Sequence, residues 1–185
     1  MGLKVHTLER LPDDGNREYF VYLLDYGWDG PLQRAMMDNF DQIADQISGH
    51  RGVVVAGLSV GHFSNNVLSW HQVNGQPADD ILPALLVTDC HPNDFKKLGD
   101  DDQRLGSEKR PGPDRLILVP LRKLCRTEAE VVEVIQNIVQ DIRAGRSLSD
   151  FQVQQMVNPK RGLADALVLQ PNFNGIGLDL KRVPW

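Results

Sequence analysis

Continuous runs of apolar residues, separated by polar turns, predict the strands of this chain. The runs at 19–24 (YFVYLL) and 53–56 (VVVA) contain aromatic and β-branched residues without alternation. This pattern is typical of strands that are buried on both faces. Runs of the same kind occupy 84–88, directly after Pro83, and 115–119, so the pattern predicts four buried strands.

An apolar stripe at helical spacing predicts a helix between the first two strands. Pro31 stands at a favourable first helical position, where its missing N–H costs nothing. Gly49 offers a left-handed cap at the other end. Between them the apolar positions recur at steps of four or three, namely Leu32, Met36, Phe40, Ile43 and Ile47. A strand, a helix of this length and another apolar strand predict a βαβ unit with parallel strands.

A second helix is predicted from a capping box. Thr127 and Glu130 have the spacing in which each side chain caps the backbone N–H of the other residue. The buried stripe that follows consists of Val131, Ile135, Ile138 and Ile142. Gly145 is expected to end this helix.

Other segments carry mixed or polar patterns. Residues 61–80 fit both a helical face and an alternating strand, and a short helix is favoured. Residues 99–113 are rich in Asp, Gly and Pro, which predicts a long exposed loop. Residues 176–180 alternate like a terminal strand, and one more short helix is suggested before them by Leu148, Phe151 and Met156.

Composition indicates a compact globular protein of one domain. The 185 residues include 41 % apolar and 24 % charged residues, near globular averages. The net charge of −5 and the scattered Lys and Arg exclude the dense positive face that nucleic-acid binding needs. No apolar run reaches the length of a signal peptide or a membrane span, so we expect a cytoplasmic protein without membrane contact.

The cysteines predict neither a metal site nor a disulfide. Cys90 and Cys125 lie outside any CxxC spacing, and no Cys/His cluster has the separation of zinc ligands. We therefore expect two unpaired thiols, no metal and no cofactor. In an antiparallel hairpin of the strands at 84–88 and 115–119, the two thiols belong near opposite ends, whereas bridging needs Cα atoms within about 7 Å.

Three short stretches resemble the thioredoxin superfamily. Residues 23–32 (LLDYGWDGPL) are similar to the segment in which a thioredoxin strand ending in Asp-Phe leads into WCGPC at a helix start. Residues 40–45 (FDQIAD) are similar to the family's LDEIAD. Residues 81–86 (ILPALL) are similar to its GIPTLL, whose proline is cis and faces the active-site turn.

The resemblance implies a fold and a domain plan. The fold would be α/β, with a thioredoxin-like βαβ…ββα core and a central mixed sheet over residues 19–145. Residues 146–185 have no equivalent in a minimal thioredoxin and, by their own pattern, would form a C-terminal extension of helix and strand. The length of the chain predicts that 1–185 is a single domain. By the same resemblance the Leu82–Pro83 peptide bond would be cis.

The departures from the family motif indicate binding rather than redox chemistry. Asp29 and Leu32 stand at the two cysteine positions, which excludes dithiol chemistry there. Thioredoxin-like proteins that lack both cysteines commonly serve as adaptors, chaperones or assembly factors. The resemblance therefore implies a non-redox module that engages a protein or peptide, with the binding residues Tyr26, Trp28, Asp29, Gly30, Pro31, Leu82 and Pro83.

Two of these side chains also have simpler interpretations. Trp28 fits equally well as an aromatic of the binding surface or as a cap over the helix. Asp29 fits an acid that the dipole at a helix N-terminus favours, more than it fits a catalytic carboxylate.

Two motifs keep an enzyme as the alternative function. GLSVG at 57–61 matches GxSxG after a strand, which would present Ser59 as a nucleophile, but no histidine follows His91 to serve as a late base. Cys90 and His91 are a candidate thiol pair, although neighbours on a strand point to opposite faces. The alternative is therefore a small hydrolase or thiol enzyme that uses Ser59, or Cys90 with His91.

Overall fold

The computed structural model is an α/β structure in which helices cover both faces of one mixed sheet. It describes residues 1–12, 17–70, 81–88, 91–93 and 116–144, together with the backbone of two strands at 152–156 and 166–170. The strands are β1 (Gly2–Val5), β2 (Tyr19–Leu24), β3 (Gly52–Gly57), β4 (Ala84–Thr88), β5 (Leu116–Pro120), β6 (Gln152–Met156) and β7 (Ala166–Gln170). The helices are α1 (Pro31–Asp38), α2 (Phe40–Ser48), α3 (Val60–Trp70), α4 (Leu121–Leu124) and α5 (Glu128–Arg143), with a 3-10 turn at Leu8–Arg10. The predicted α/β class is confirmed.

The sheet combines parallel and antiparallel pairs in the order β1-β3-β2-β4-β5-β7-β6. Strands β2 and β3 are parallel, with Tyr19 opposite Gly52, as predicted for the unit that contains α1 and α2. Strand β4 runs antiparallel to both β2 and β5. The antiparallel pairing predicted for the strands at 84–88 and 115–119 is therefore confirmed.

Strand β2 takes part in two hydrophobic clusters because its alternate side chains point to opposite faces of the sheet. Val21 and Leu23 pack with residues of α1, α2 and α5 on one face. Phe20, Tyr22 and Leu24 pack with residues of α3 and the 3-10 turn on the other. All five side chains are buried. Burial on both faces explains why this strand is a continuous apolar run rather than an alternating one.

The helix predicted over residues 31–49 is two helices that meet at Asn39. This residue has φ −89° and ψ 2°, and its Nδ2 donates to the carbonyl of Ala35 at 2.7 Å. An asparagine side chain that bonds the preceding turn competes with the helical backbone, so the prediction of a single helix is corrected. The apolar stripe continues through the break, with buried side chains at Met36, Phe40, Ile43 and Ile47.

The left-handed residue after α2 is Arg51 rather than Gly49. Gly49 has φ −70° and ψ −10°, which is a right-handed conformation, whereas Arg51 has φ 56°. The Arg51 carbonyl accepts from the Glu18 N–H at 2.9 Å, and its guanidinium pairs with the Glu18 carboxylate. These contacts hold Arg51 in a conformation that non-glycine residues rarely adopt. The predicted left-handed cap at Gly49 is wrong, because Gly49 itself is right-handed.

Two helix predictions are confirmed. Helix α3 resolves the first half of the ambiguous segment 61–80 in favour of a helix. At the start of α5, the Glu130 N–H donates to Oγ1 of Thr127 at 3.3 Å, and the Thr127 N–H donates to Oε2 of Glu130 at 3.0 Å. This is the predicted capping box, and the stripe behind it is buried at Val131, Ile135, Ile138 and Ile142.

The C-terminal extension differs from the prediction. Residues 152–156 form β6, which pairs antiparallel with β7. The short helix suggested by Leu148, Phe151 and Met156 is therefore wrong over residues 152–156, because pairing with another strand overrides a helical pattern in so short a segment; Leu148 and Phe151 lie outside the described residues. Strand β7 in turn joins the sheet beside β5, with Leu118 opposite Val168.

Some predictions fall outside the described residues, and some elements were not predicted. The loop at 99–113, the helix end at Gly145, residues 71–80 and the strand at 176–180 lie outside the described part of the chain. The edge strand β1 and the single turn of α4 had no counterpart in the prediction. None of the helices in the described residues is both long and apolar enough to cross a membrane.

Gly57 allows α3 to approach the end of β3 closely. A Cβ on Gly57 would collide with Cβ and the ring of Phe63, which is fully buried. We expect Gly57→Ala to lower the free energy of unfolding by about 1–3 kcal/mol, the usual cost of overpacking. Urea denaturation measures this.

Gly49→Ala is the matched control for this substitution. Its Cβ would meet nothing within 4 Å, and its φ of −70° suits alanine. It should leave stability unchanged or raise it by up to about 1 kcal/mol. An equal loss of stability in both variants would contradict the packing of α3 on β3.

Candidate functional site

The turn between β2 and α1 is closed by its own hydrogen bonds. Gly27 has φ 78°, and its N–H donates to Oδ1 of Asp25, as in turns built on an aspartate side chain. The Gly30 N–H donates to the Trp28 carbonyl at 2.7 Å, and Pro31 begins α1. One short connection thus holds the predicted binding residues Tyr26, Trp28, Asp29, Gly30 and Pro31.

Helix α3 holds this turn through two consecutive polar residues. The Ser64 hydroxyl accepts from the Asp25 N–H at 2.9 Å and donates to the Asp25 carbonyl at 2.6 Å. The Tyr26 hydroxyl donates to Oδ1 of Asn65 at 2.7 Å. Because Ser64 is fully buried, it satisfies both backbone groups of Asp25 where water does not reach. Sequence analysis missed these residues, although a Ser-Asn-Asn run within an apolar helical pattern is a signal for them.

Two large apolar side chains are exposed at this end of the sheet. Trp28 is 47 % and Leu58 is 55 % exposed, and they are the exposed large hydrophobic residues of the described part of the chain. Trp28 follows β2 and Leu58 follows β3, and parallel neighbours end at the same edge of a sheet. We name residues 26–31 together with Leu58 the turn surface.

The Trp28 ring has an aromatic and a cationic neighbour. The Tyr26 ring lies 5.4 Å away between centroids, at an interplanar angle of 58°. The guanidinium carbon of Arg122, in α4, lies 5.6 Å from the Trp28 ring centroid. A cation–π contact at an exposed site contributes about 0.5–1 kcal/mol, enough to orient the ring. The exposure of the ring favours the interpretation of Trp28 as a surface aromatic over that of a helix cap.

Asp29 forms an ion pair with α1. Its Oδ1 lies 2.8 Å from Nη1 of Arg34, and the two side chains are largely exposed. An exposed pair of this kind contributes little to stability. Asp29 therefore has the location and the partner of an acid stabilised at a helix N-terminus.

Leu82 and Pro83 are buried next to the turn. The peptide bond between them is cis, as the resemblance implies. Ala84 pairs with Leu24, so Pro83 lies beside the residue that opens the turn. Both side chains are buried, and the Pro83 carbonyl accepts from the Leu121 N–H at 2.9 Å. These two residues can therefore support the turn surface, but they add little exposed area to it.

Asp25 is a buried acid that the sequence analysis did not select. It is 3 % exposed, and burial raises the pKa of its carboxyl above the ordinary value, against the opposing hydrogen bond from the Gly27 N–H. Its Oδ1 also accepts from Nε2 of Gln33, in α1, at 3.2 Å. A carboxyl that directly follows a fully apolar strand is the sequence signal for such a residue.

Ser59 has the location of a nucleophile but not its surroundings. It is exposed between β3 and α3, the strand–turn–helix context in which GxSxG serines act. Among the described residues, Arg51 is the one non-glycine residue with positive φ, so Ser59 lacks the strained backbone of a nucleophile elbow. Within the same residues its hydroxyl makes no hydrogen bond to a histidine or an acid.

His91 lies at the other end of the sheet from the turn surface. Its ring meets the ring of Phe20, near the start of β2, edge to face at 5.4 Å between centroids. Its Nδ1 accepts from the Asn93 N–H at 3.2 Å. Ser59 and His91 therefore cannot share one catalytic site. Cys90 lies outside the described residues, so its pairing with His91 stays a prediction.

Cys125 is a buried free thiol. Burial, with smaller effects of Glu130 and Glu133, raises its pKa to about 11, so the reactive thiolate is scarce at neutral pH. Cys125 follows β5, which runs antiparallel to β4, and so lies at the end of the hairpin where β4 begins. Because Cys90 lies outside the described residues, the expected separation of the two thiols stays a prediction.

No protein-family model, no curated protein and no solved structure matches the chain. The described residues contain no group of three His, Cys, Asp or Glu side chains that could hold a metal ion. The structure defines an α/β protein with a mixed sheet, and the exposed large hydrophobic side chains of the described residues, Trp28 and Leu58, lie at the end of β2 and β3.

Gly27 fixes the turn for two reasons. Its φ is positive, and a Cβ there would lie 2.9 Å from Cγ2 of Val60. We expect Gly27→Ala to lower the free energy of unfolding by at least about 1–2 kcal/mol, the cost of a left-handed alanine, in urea denaturation.

Gly30→Ala is the control within the same turn. Gly30 has φ −114°, and the nearest atom to its Cβ would be the Trp28 carbonyl oxygen at 3.8 Å. Because Gly30 is the N-cap of α1, where alanine is less favourable than glycine, its effect should be a loss of no more than about 1 kcal/mol. If the two variants lose the same stability, the left-handed conformation of Gly27 is not what fixes the turn.

Proposed function

We propose that the chain is a redox-inactive, thioredoxin-like binding module that engages a protein or peptide at the turn surface. The observation that carries this proposal is the exposure of Trp28 and Leu58 on one edge of a sheet, while the other large hydrophobic residues described are buried or partly buried. Tryptophan is enriched in protein interfaces, where a large rigid ring excludes water at low entropic cost. The partner would offer an apolar side chain that covers the Trp28 ring.

Element order and strand directions support the thioredoxin-like part of the proposal. A parallel βαβ unit is followed by an antiparallel hairpin and an amphipathic helix, α5. Helix α5 packs on the same face as α1 and α2. The turn of residues 25–30 leads from β2 directly into α1, as in the segment that the sequence resembles.

The residues at the start of α1 support the redox-inactive part. Asp29 and Leu32 occupy the motif's cysteine positions, and neither can form a mixed disulfide. The described thiol, Cys125, is buried in the core. An insulin-reduction assay should therefore give no turnover above a control without protein, and measurable turnover would contradict this part of the proposal.

A rigid turn favours binding because little conformational freedom is lost on association. The backbone of Asp25 is held by Ser64, the Gly27 N–H by the Asp25 carboxyl, and the Tyr26 hydroxyl by Asn65. The Trp28 ring, in contact with Tyr26 and Arg122, is thus presented on a fixed support.

Binding through side chains fits this site better than the addition of a strand. Strand β4 lies between β2 and β5, so it has no free edge beside Pro83. The Pro83 carbonyl is already bonded to the Leu121 N–H. We therefore assign the contact with the partner to Trp28, Leu58 and the turn, with Leu82 and Pro83 as the base of the surface.

Selection from a random peptide display library tests the proposal without a known partner. Peptides that bind the full chain are re-tested against Trp28→Ala and against Gln136→Ala, an exposed position on α5. An interface tryptophan at the centre of a contact is worth at least about 2 kcal/mol, so Trp28→Ala should weaken binding roughly 30-fold or more. Gln136→Ala should leave the affinity unchanged.

Two results would contradict the proposal. Either the library yields no peptides above background, or the selected peptides bind Trp28→Ala as well as the unchanged chain. A fluorophosphonate probe and iodoacetamide on the native protein test the alternative. Stoichiometric labelling at Ser59, lost in Ser59→Ala, or hyper-reactive Cys90 would favour the enzyme.

A further inference from the structure

Two buried oxygen atoms in adjoining side chains at the base of the turn lack hydrogen-bond donors. Among the described residues, Oδ2 of Asp25 and Oε1 of Gln33 have no hydrogen-bond partner. The two side chains are already joined, since Nε2 of Gln33 donates to Oδ1 of Asp25 at 3.2 Å. Asp25 is 3 % exposed, so bulk water does not satisfy its second oxygen. Buried acceptors of this kind call for a physical explanation.

One added proton on Oδ2 would give the carboxyl a donor for Oε1 of Gln33. An ionised carboxylate offers only acceptors, and so does the amide oxygen of glutamine. A protonated carboxyl carries an O–H donor, and a carboxylic acid and a primary amide can then exchange two hydrogen bonds in a ring. In that ring Nε2–H donates to Oδ1, which is the bond observed, and Oδ2–H donates to Oε1.

We propose that Asp25 holds a proton on Oδ2 in the folded protein at neutral pH, that this proton is donated to Oε1 of Gln33, and that its loss to water loosens the turn surface. The proposal does not depend on the function proposed above. It assigns a proton-binding site to the acid–amide pair and a conformational response to the turn.

The charged groups around the pair do not compensate an ionised Asp25. On α1 and in the turn, Arg34 and Asp29 pair with each other. On α4, Arg122 lies over the Trp28 ring. On α3, His62 is exposed, while Ser64 binds the Asp25 backbone rather than its carboxyl. Among the described residues, no cation forms an ion pair with Asp25.

The carboxyl of Asp25 joins the two halves of the turn. Its Oδ1 accepts one hydrogen bond from the Gly27 N–H inside the turn and one from Nε2 of Gln33, in the first turn of α1. A charge on this desolvated group, without a cation beside it, must gain water to be stabilised. Water can reach it only if the contacts of the turn with α1 or α3 open, which changes the surroundings of Trp28.

The sign of the pH dependence follows from burial. An unfolded Asp ionises near pH 4, whereas burial raises the pKa of folded Asp25. The folded state therefore keeps a proton that the unfolded state has lost, so this group lowers stability as pH rises from about 4 to the folded pKa. Above the folded pKa its effect is constant.

Nuclear magnetic resonance of the unmodified full chain tests the proposal directly. The carbon-13 signal of the Asp25 carboxyl, assigned by its loss in Asp25→Asn, should keep the position of a carboxylic acid at neutral pH and titrate above the ordinary range. The side-chain amide of Gln33 and the indole N–H of Trp28 should shift with the same midpoint. The side-chain amide of Gln136, exposed on α5, serves as the control and should not shift.

Stability measurements give an independent test. Asn keeps an N–H donor for Oε1 of Gln33 and an oxygen for Gly27, but it cannot ionise. Asp25→Asn should therefore become progressively more stable than the unchanged chain between about pH 5 and the folded pKa. Asp38→Asn, which removes an exposed acid at the end of α1, is the matched control.

Each negative result overturns the proposal. Titration of Asp25 with a midpoint below neutral pH shows that the folded protein holds no proton at neutral pH. Titration above neutral pH with an unmoved Gln33 amide shows that Gln33 does not receive the proton. An unmoved Trp28 signal shows that the proton does not control the turn surface.

Discussion

The two hydrogen bonds between Ser64 and the main chain of Asp25 determine how the exposed end of this protein is built. Strand β2 is covered on both faces, so its backbone groups must stay paired up to the point where the chain leaves the sheet. Asp25 is that point, and a single hydroxyl from α3 binds both its N–H and its carbonyl. The turn therefore starts from a fixed position, and the orientation of Trp28 follows from it.

The same arrangement buries a carboxyl. Asp25 lies where two apolar clusters end, and its side chain serves the turn by accepting from Gly27 and Gln33. Burial makes this group hard to ionise, so the interaction that closes the turn also makes it sensitive to a proton. Rigidity of the turn surface and its proposed pH response have one origin.

The features that were predicted best from the sequence are those that depend on residues close together in the chain. The strands at 19–24 and 53–56 are continuous apolar runs because helices cover both faces, and the capping box of α5 acts within one turn. The break at Asn39 was missed because the apolar stripe continues through it, so periodicity carries no trace of it. The left-handed Arg51 depends on contacts with Glu18, which is distant in sequence.

The candidate site was predictable only in part for the same reason. Gly27, Gly30 and Pro31 mark the turn by residue type alone. The contributions of Ser64, Asn65 and Leu58 come from another βα connection and require the pairing of β2 with β3. The burial of Leu82 and Pro83 likewise follows from the central position of β4, which no local pattern specifies.

Amide hydrogen exchange of the native protein tests most directly whether the turn surface is a preformed, rigid site. If Ser64 and the Asp25 carboxyl hold the turn as described, the amides of Asp25 and Gly27 exchange as slowly as the amide of Tyr22 in the middle of β2. Fast exchange at Asp25 and Gly27, with Tyr22 still protected, would show that the turn opens independently of the sheet and would contradict this account.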